Sequence, residues 1–415
     1  MTESTQAISI GALGNLGVCP LAIRAEPGGG YLVYLDFIDV FEPDCGELEE
    51  SFRNLSPKKP SDKLGFSGLI GFFGYEFLAA HLGLSLQANR DLIIPDGWFG
   101  RPQTIIRLLP DATRIQSENP DRTREIAEVL TNKGTTKPQP VLGTNKSITC
   151  NLGFEEYEQI FRQAREAILD GETYQIKISQ RFEAQAEIDP ILGFERLCLA
   201  NPAPEAFLLL TENFSILSCS PETVIERMGD RITTRPIGGT YQRHSPSSDG
   251  SVIESFLKDP KEVAEHNMLV DLERNDLSAI CKTGSVAIDR FREVESYAHL
   301  HHLVSTIRGT LKDGIELPTL IRSMLPGGSI TGCPKIRTME WIDRLEPCFR
   351  GPYTGSFGTI SDNGDLRLNL MIRSMLVTKD RCYAQAGGGI VVESTPEYEY
   401  NENKIKAQAL LDLLA

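Results

Sequence analysis

Short apolar runs broken by glycine and joined by turns of hairpin length constrain the fold of this 415-residue chain more than any other feature. Strand-like runs lie at 353–360, 368–377 and 382–393, and two more flank the turn Met228-Gly-Asp230. Parallel neighbours would need crossovers of a dozen or more residues between such runs. The spacing therefore predicts antiparallel pairing. Helix-like runs lie at 261–275, 317–325, 335–345 and 402–414. Together they predict an α+β fold, a sandwich of antiparallel β-sheets flanked by helices.

Nearer the N-terminus, Tyr31–Phe37 alternates as a strand. The apolar, glycine-spaced run Phe66–Glu76 follows a polar loop at Ser56–Asp62 that Gly65 closes. From Pro110 to Lys146 the chain turns polar, with a short helix around Thr123–Leu130. The tract Gly134-Thr-Thr-Lys-Pro-Gln-Pro140 is the linker candidate, separating residues 1–145 from 150–415. Beyond it, Tyr157, Ile160, Phe161, Ala164 and Ile168 follow the helical period, and Gly171 sits where a helix would end. Tyr174–Phe182 then alternates as a strand, with Gln175, Lys177 and Ser179 on one face.

Composition excludes some partners. A net charge of −15 disfavours polyanions, so neither nucleic acid nor an anionic membrane is expected. There is no run of 18 apolar residues, and Met1-Thr-Glu-Ser does not open a secretory leader, so a cytoplasmic protein is expected. The nine cysteines are scattered singly without a Cys-x-x-Cys pair, which suits a reducing compartment and argues against zinc.

The chemistry-bearing stretch begins at Arg235-Pro-Ile-Gly-Gly-Thr240, where Gly238 and Gly239 let backbone approach a ligand closely. Glu262 and Glu265 follow, three apart in a helix-like run and so on one face. A second such pair, Glu399 and Glu402, lies near the C-terminus. Four carboxylates from two helices make an oxygen-lined site suited to Mg²⁺ with waters and substrate completing it. Each pair alone is most often a solvated helix face. Glu222 reads as a turn residue, and His302 as a packed histidine or a base. Lys335 opens a helix after a glycine-containing loop. Arg373 interrupts an apolar strand and requires an anionic partner. Gly387, Gly388 and Gly389 either offer backbone N–H groups to a carboxylate or permit a tight bend.

Taken together, the segments from Gln175 to Lys406 resemble the chorismate-utilising enzymes: the synthase components of anthranilate and aminodeoxychorismate formation, with isochorismate and salicylate synthases. Gly68-Leu-Ile-Gly-Phe-Phe-Gly-Tyr-Glu76 resembles the accessory part of that family, so residues 1–145 correspond to an accessory region within the same sandwich and 150–415 to the catalytic region. The resemblance implies that Glu262, Glu265, Glu399 and Glu402 hold Mg²⁺ against the ring carboxylate of chorismate. It places Arg373, Tyr353 and Gly387–Gly389 at the enolpyruvyl carboxylate, and Ser329 and Thr240 as hydroxyl contacts beside Gly238 and Gly239. Glu222 matches the general acid for the departing hydroxyl, His302 a histidine near the ring, and Lys406 a lysine next to the metal helix.

Gln175 stands where water-using members carry a lysine base, and a neutral amide cannot deprotonate water, so ammonia is the expected nucleophile. No glutaminase set is present, so a separate glutamine amidotransferase subunit is expected. Two aminating activities compete. Gly238 stands where aminodeoxychorismate-forming members commonly have an attacking lysine. The segments Pro326–Gly332, His302–Arg308 and Asp271–Asp276 nevertheless resemble that side, and no Leu-Leu-Glu-Ser feedback element is found. The expectation is the chemistry of aminodeoxychorismate synthase component I, in the 4-aminobenzoate and folate branch. Anthranilate formation comes second, then isochorismate synthesis or a catalytically idle homologue. Lys177 is read either as partial replacement for the missing lysine near the ring or as a lysine paired with a nearby glutamate.

Overall fold

The structure, a computed structural model, describes residues 2–4, 8–26, 28–61, 63–131, 147–243, 249–296 and 300–414. The linker candidate at 134–140 lies outside them. Among the described residues are twenty strands and eleven α-helices, and all strand ladders are antiparallel. The expected α+β class is the observed one.

A continuous path of ladders starts at Gln175–Gln185 and passes through Arg381–Ile390, Ser374–Val377, Ser215–Ser220 and Glu205–Leu210. It then crosses Leu21–Ala25, Tyr31–Phe41, Gly97–Leu108 and Gly68–Phe73. From there it continues through Ser356–Ser361, Leu366–Asn369, Thr223–Met228 and Arg231–Thr234 to Leu300–Thr310. The two halves of this path face each other across an apolar layer in which Phe207 stacks on Phe357 at 3.9 Å between centroids. Ile70, Phe72, Ile216 and Met371 fill the same layer, each burial contributing about 1.5–3 kcal/mol.

Helices cover the outer faces. Tyr157, Phe161 and Ala164 of the Phe154–Leu169 helix pack on Ile176, Ile178 and Ile390. Val270, Leu277 and Ile280 of the Pro260–Ile280 helix pack with Ile225, Ile307 and Leu320. That helix starts where Asp259 Oδ1 accepts hydrogen bonds from the backbone N–H groups of Lys261 and Glu262, with Pro260 in its first turn. The start places Glu262 against Gly239 of the Ile237–Gln242 strand, and Glu265 against the Gln175–Gln185 strand.

Several boundaries differ from the sequence reading. Tyr75 and Glu76 open a helix, Tyr75–His81, because Glu76 turns inward to accept from the N–H groups of Arg350 and Gly351. The run 353–360 becomes a strand only at Ser356. The run 368–377 is two strands, Leu366–Asn369 and Ser374–Val377, and Arg373 sits in the break with φ of 50° rather than inside a strand. The C-terminal helix begins at Pro396, not 402, which brings Glu399 into its first turn. All nine cysteines are free, and no helix among the described residues is long and apolar enough to cross a membrane.

Candidate active site

The site forms where the Gln175–Gln185 and Arg381–Ile390 ladder meets the two glutamate-bearing helices. Gly387, Gly388 and Gly389 pair with Ser179, Ile178 and Lys177. A Cβ on Gly388 would stand 2.5 Å from Glu399 Oε2 and 3.2 Å from Glu402 Oε2. The helix Pro396–Leu411 can lay its two carboxylates on the strand only because that atom is missing. Gly239 does the same for the other helix: its φ is 73°, and a Cβ there would lie 2.6 Å from Glu262 Oε2. Gly239 forms the bulge between the paired residues Gly238–Leu303 and Thr240–His302. The side chain of Thr240 lies outside the described residues.

All four glutamates face this junction, and two lysines neutralise part of their charge. Glu265 Oε1 accepts from Gln175 Nε2 at 3.2 Å and Lys177 Nζ at 3.4 Å. Glu402 Oε2 accepts from Lys406 Nζ at 2.8 Å, and Lys406 also reaches the Gly387 carbonyl at 3.3 Å. Glu399 accepts from Ser394 Oγ at 2.8 Å. Burial, then the Glu265 charge, pushes Glu262 up to about 7. Burial also raises Glu399, with Glu402 adding to it. Burial alone would raise Glu265, but Lys177 and Gln175 outweigh it and hold the carboxyl below its usual range. The ammonium of Lys177 is disfavoured by burial yet stabilised by Glu265, Glu402 and Glu399, so its pKa rises. Of the two readings of Lys177, the structure displays the ion pair.

The donor set suits a divalent cation. Carboxylate oxygens are hard ligands, two glycines leave room for them, and Mg²⁺ needs only one or two carboxylates when waters complete the shell. No three of the four glutamates bring an oxygen each within 4.8 Å of one another. The trio of possible ligand atoms that does lie that close among the described residues is a carboxylate oxygen each of Asp44 and Asp96 with Cys45 Sγ. Asp96 there is already engaged by Arg90 and by the Cys45 N–H.

A second group centres on Glu222, His302 and Arg373. Glu222 is buried and accepts from Ser329 Oγ at 2.8 Å. Burial pushes its pKa up to about 7, against the pull of Ser329, the Ile237 N–H, and the charges of Lys177 and Arg373. His302 is also buried; its Nε2 lies 3.1 Å from an Arg373 nitrogen and its Nδ1 3.2 Å from the Gly239 carbonyl. Arginine only donates, so the network assigns the proton to Nδ1 and leaves Nε2 the acceptor. Burial and the Arg373 charge lower His302 to about 3, so the ring is neutral. Tyr353 approaches Gly387 with its hydroxyl, 2.9 Å from where a Cβ would be.

Gly238 is turned elsewhere. A Cβ there would stand 2.7 Å from Nδ1 of buried His266, so its side-chain direction points into the covering helix. The sequence reading missed Arg350 and Glu346. Arg350 donates to both oxygens of Glu346 and to the carbonyls of Lys177 and Ile330, and its guanidinium lies 5.6 Å from the Tyr353 ring centroid. Ser179 donates to Glu346 through both N–H and Oγ. A charged pair four residues apart, ending just before Gly-Pro-Tyr353, was the available signal. Two surface clefts, one beside Cys19 and Pro190 and one beside Arg235 and Asp289, contain none of the residues of this junction.

Fold and site together define an antiparallel α+β sandwich in which a cluster of four glutamates adjoins, through Gly239, an arginine–histidine pair. The chain belongs to the chorismate-binding enzyme family, whose model matches residues 41–412. It is 42% identical over 259 residues to an anthranilate synthase component 1 of Haloarcula marismortui, covering 62% of this chain and 53% of that protein. It is 33% identical to the aminodeoxychorismate synthase component 1 of Bacillus subtilis, covering 83% of this chain and 76% of that one. The chain thus spans about half the length of the first relative and three quarters of the second. The crystal structure of anthranilate synthase component I from Streptococcus pneumoniae superposes with a TM-score of 0.79 at 26% identity, over 100% of this chain and 92% of that one. The menaquinone-specific isochorismate synthase of Escherichia coli shares the fold, with a TM-score of 0.77 at 18% identity over 96% of this chain and 89% of that one.

Proposed function

We propose that this chain aminates chorismate with ammonia to 4-amino-4-deoxychorismate, as an aminodeoxychorismate synthase component I. The observation that carries the chemistry is Glu222: a buried carboxyl, raised to about 7 and bonded by Ser329, is a proton donor at neutral pH. Hydroxide leaves poorly, so an acid at that position lowers the barrier to breaking its C–O bond. In this reading Glu262, Glu265, Glu399 and Glu402 hold Mg²⁺, which supplies Lewis-acid polarisation of the ring carboxylate when bound. Arg373 and Tyr353 orient the second carboxylate, with backbone of Gly387–Gly389 beside it. Gln175 is neutral and donates to Glu265, so it abstracts no proton from water, and ammonia from a separate amidotransferase subunit is the nucleophile. We place the protein in the cytoplasm.

The product assignment rests on His302. Release of pyruvate would need a base to remove a ring proton. The neutral His302 already directs Nε2 at Arg373 and Nδ1 at the Gly239 carbonyl. That arrangement favours retention of the enolpyruvyl group. The Pro326–Gly332 segment carrying Ser329 points the same way. Anthranilate formation is the second reading, favoured by the names of the Haloarcula and Streptococcus relatives. The test is incubation with chorismate, Mg²⁺ and ammonium, with products identified by mass. An aminated product retaining the enolpyruvyl group is expected, and Glu222→Gln should lower turnover by about 10²–10⁴-fold. Anthranilate with pyruvate would overturn the product assignment. No consumption of chorismate would overturn the enzymatic one.

A further inference from the structure

We infer that Lys177 is a built-in competitor of the divalent cation, holding Glu265 until metal arrives and then making metal binding depend on an anionic ligand. The inference rests on the reading of the four glutamates as a metal site. Three observations carry it. First, Glu265 Oε1 receives two donors at once, Gln175 Nε2 at 3.2 Å and Lys177 Nζ at 3.4 Å, so one of the two oxygens this carboxylate can offer a cation is engaged. Second, the glutamates are not drawn together: no three bring oxygens within 4.8 Å of one another, and lysines stand on one member of each pair.

Third, the two lysines differ in where they can go. Lys406 leaves Glu402 from a helix surface with 32% of its side chain exposed, so it can turn into water. Lys177 is 15% exposed and springs from the second-to-last pair of its ladder, opposite Gly389, where a Cβ would come within 2.8 Å of its Nζ. Once displaced from Glu265, its ammonium stays in the junction beside the incoming cation. Two positive centres at that range repel strongly at the effective dielectric of a partly buried site. An anion between them removes the repulsion, so metal and anionic ligand each strengthen the binding of the other. Metal alone would then bind weakly, and more tightly once the substrate carboxylate is in place.

The test is calorimetric titration of Mg²⁺ alone into the full chain, comparing wild type with Lys177→Met, Lys177→Gln and Lys177→Arg, each checked for an unchanged thermal transition. Both neutral variants should bind Mg²⁺ about tenfold more tightly than wild type or more, while Lys177→Arg stays weak. Should Met disturb folding, Gln carries the comparison. Equal or weaker binding in the neutral variants would overturn the inference and leave the metal site standing. Wild-type binding that survives Glu265→Gln unchanged would instead overturn the site on which it rests.

Discussion

One absent methyl group at Gly388 decides whether the carboxylates of the C-terminal helix can reach the sheet. Its hypothetical Cβ falls 2.5 Å from Glu399 Oε2, with Glu402 and Asn403 next. Gly388→Ala should therefore push Glu399 off the strand, costing about 1–3 kcal/mol in overpacking. Mg²⁺ affinity should fall about tenfold by calorimetry, and an unaltered isotherm would refute the role given to this glycine. The triple glycine was visible in the sequence because its two readings, ligand contact or tight bend, both need a missing Cβ. Gly238 was visible for the same reason but faces His266 instead of the junction. Sequence shows that a side chain is absent and not which way it would have pointed.

Elements rather than residues set the distance between the acid and the metal candidates. Arg350 joins the strand that carries Gln175 and Lys177 to the short Gly328–Thr331 helix that carries Ser329, through the carbonyls of Lys177 and Ile330. Its charge is balanced by Glu346, both side chains being at most 4% exposed. Arg350→Met leaves that carboxylate buried without its partner, an expected loss of about 3–5 kcal/mol in denaturant unfolding. Restoration by Glu346→Gln in the same chain would identify the stranded charge as the cause. Long periodic elements were legible beforehand: the 154–169, 260–280 and 335–345 helices stand where apolar spacing put them. The break around Arg373 was not, because apolar residues continue through it and only the φ of 50° reveals the turn. Arg350 was hidden for a related reason. Its partners Lys177 and Ile330 lie 173 and 20 positions away, beyond any local pattern.

At the scale of the whole molecule, burial outweighs the neighbouring cations at several acids among the described residues. Burial raises Glu76, Glu222 and Glu262 to about 7 and Glu273 to about 8, from an ordinary 4.5. Each holds its proton more tightly folded than unfolded, so its contribution is full below pH 4.5 and lost as pH rises through the folded value. His266 and His302, lowered to about 4 and 3, act oppositely, but their contribution is complete above 6.5. Between pH 6.5 and 8 only the acids remain, so without metal the thermal midpoint should drop across that window; a flat or rising midpoint would contradict the buried, neutral carboxyls. The ladder between Gly68–Phe73 and Ser356–Ser361 has a consequence of another kind. Ser67 donates to Asp362, 295 positions further on. At roughly 5–20 residues per second, a ribosome needs about 15–60 s to deliver that partner. Through that interval the glycine-spaced, wholly apolar segment waits with a bare edge, and a nascent chain in that condition is one that chaperones must shelter.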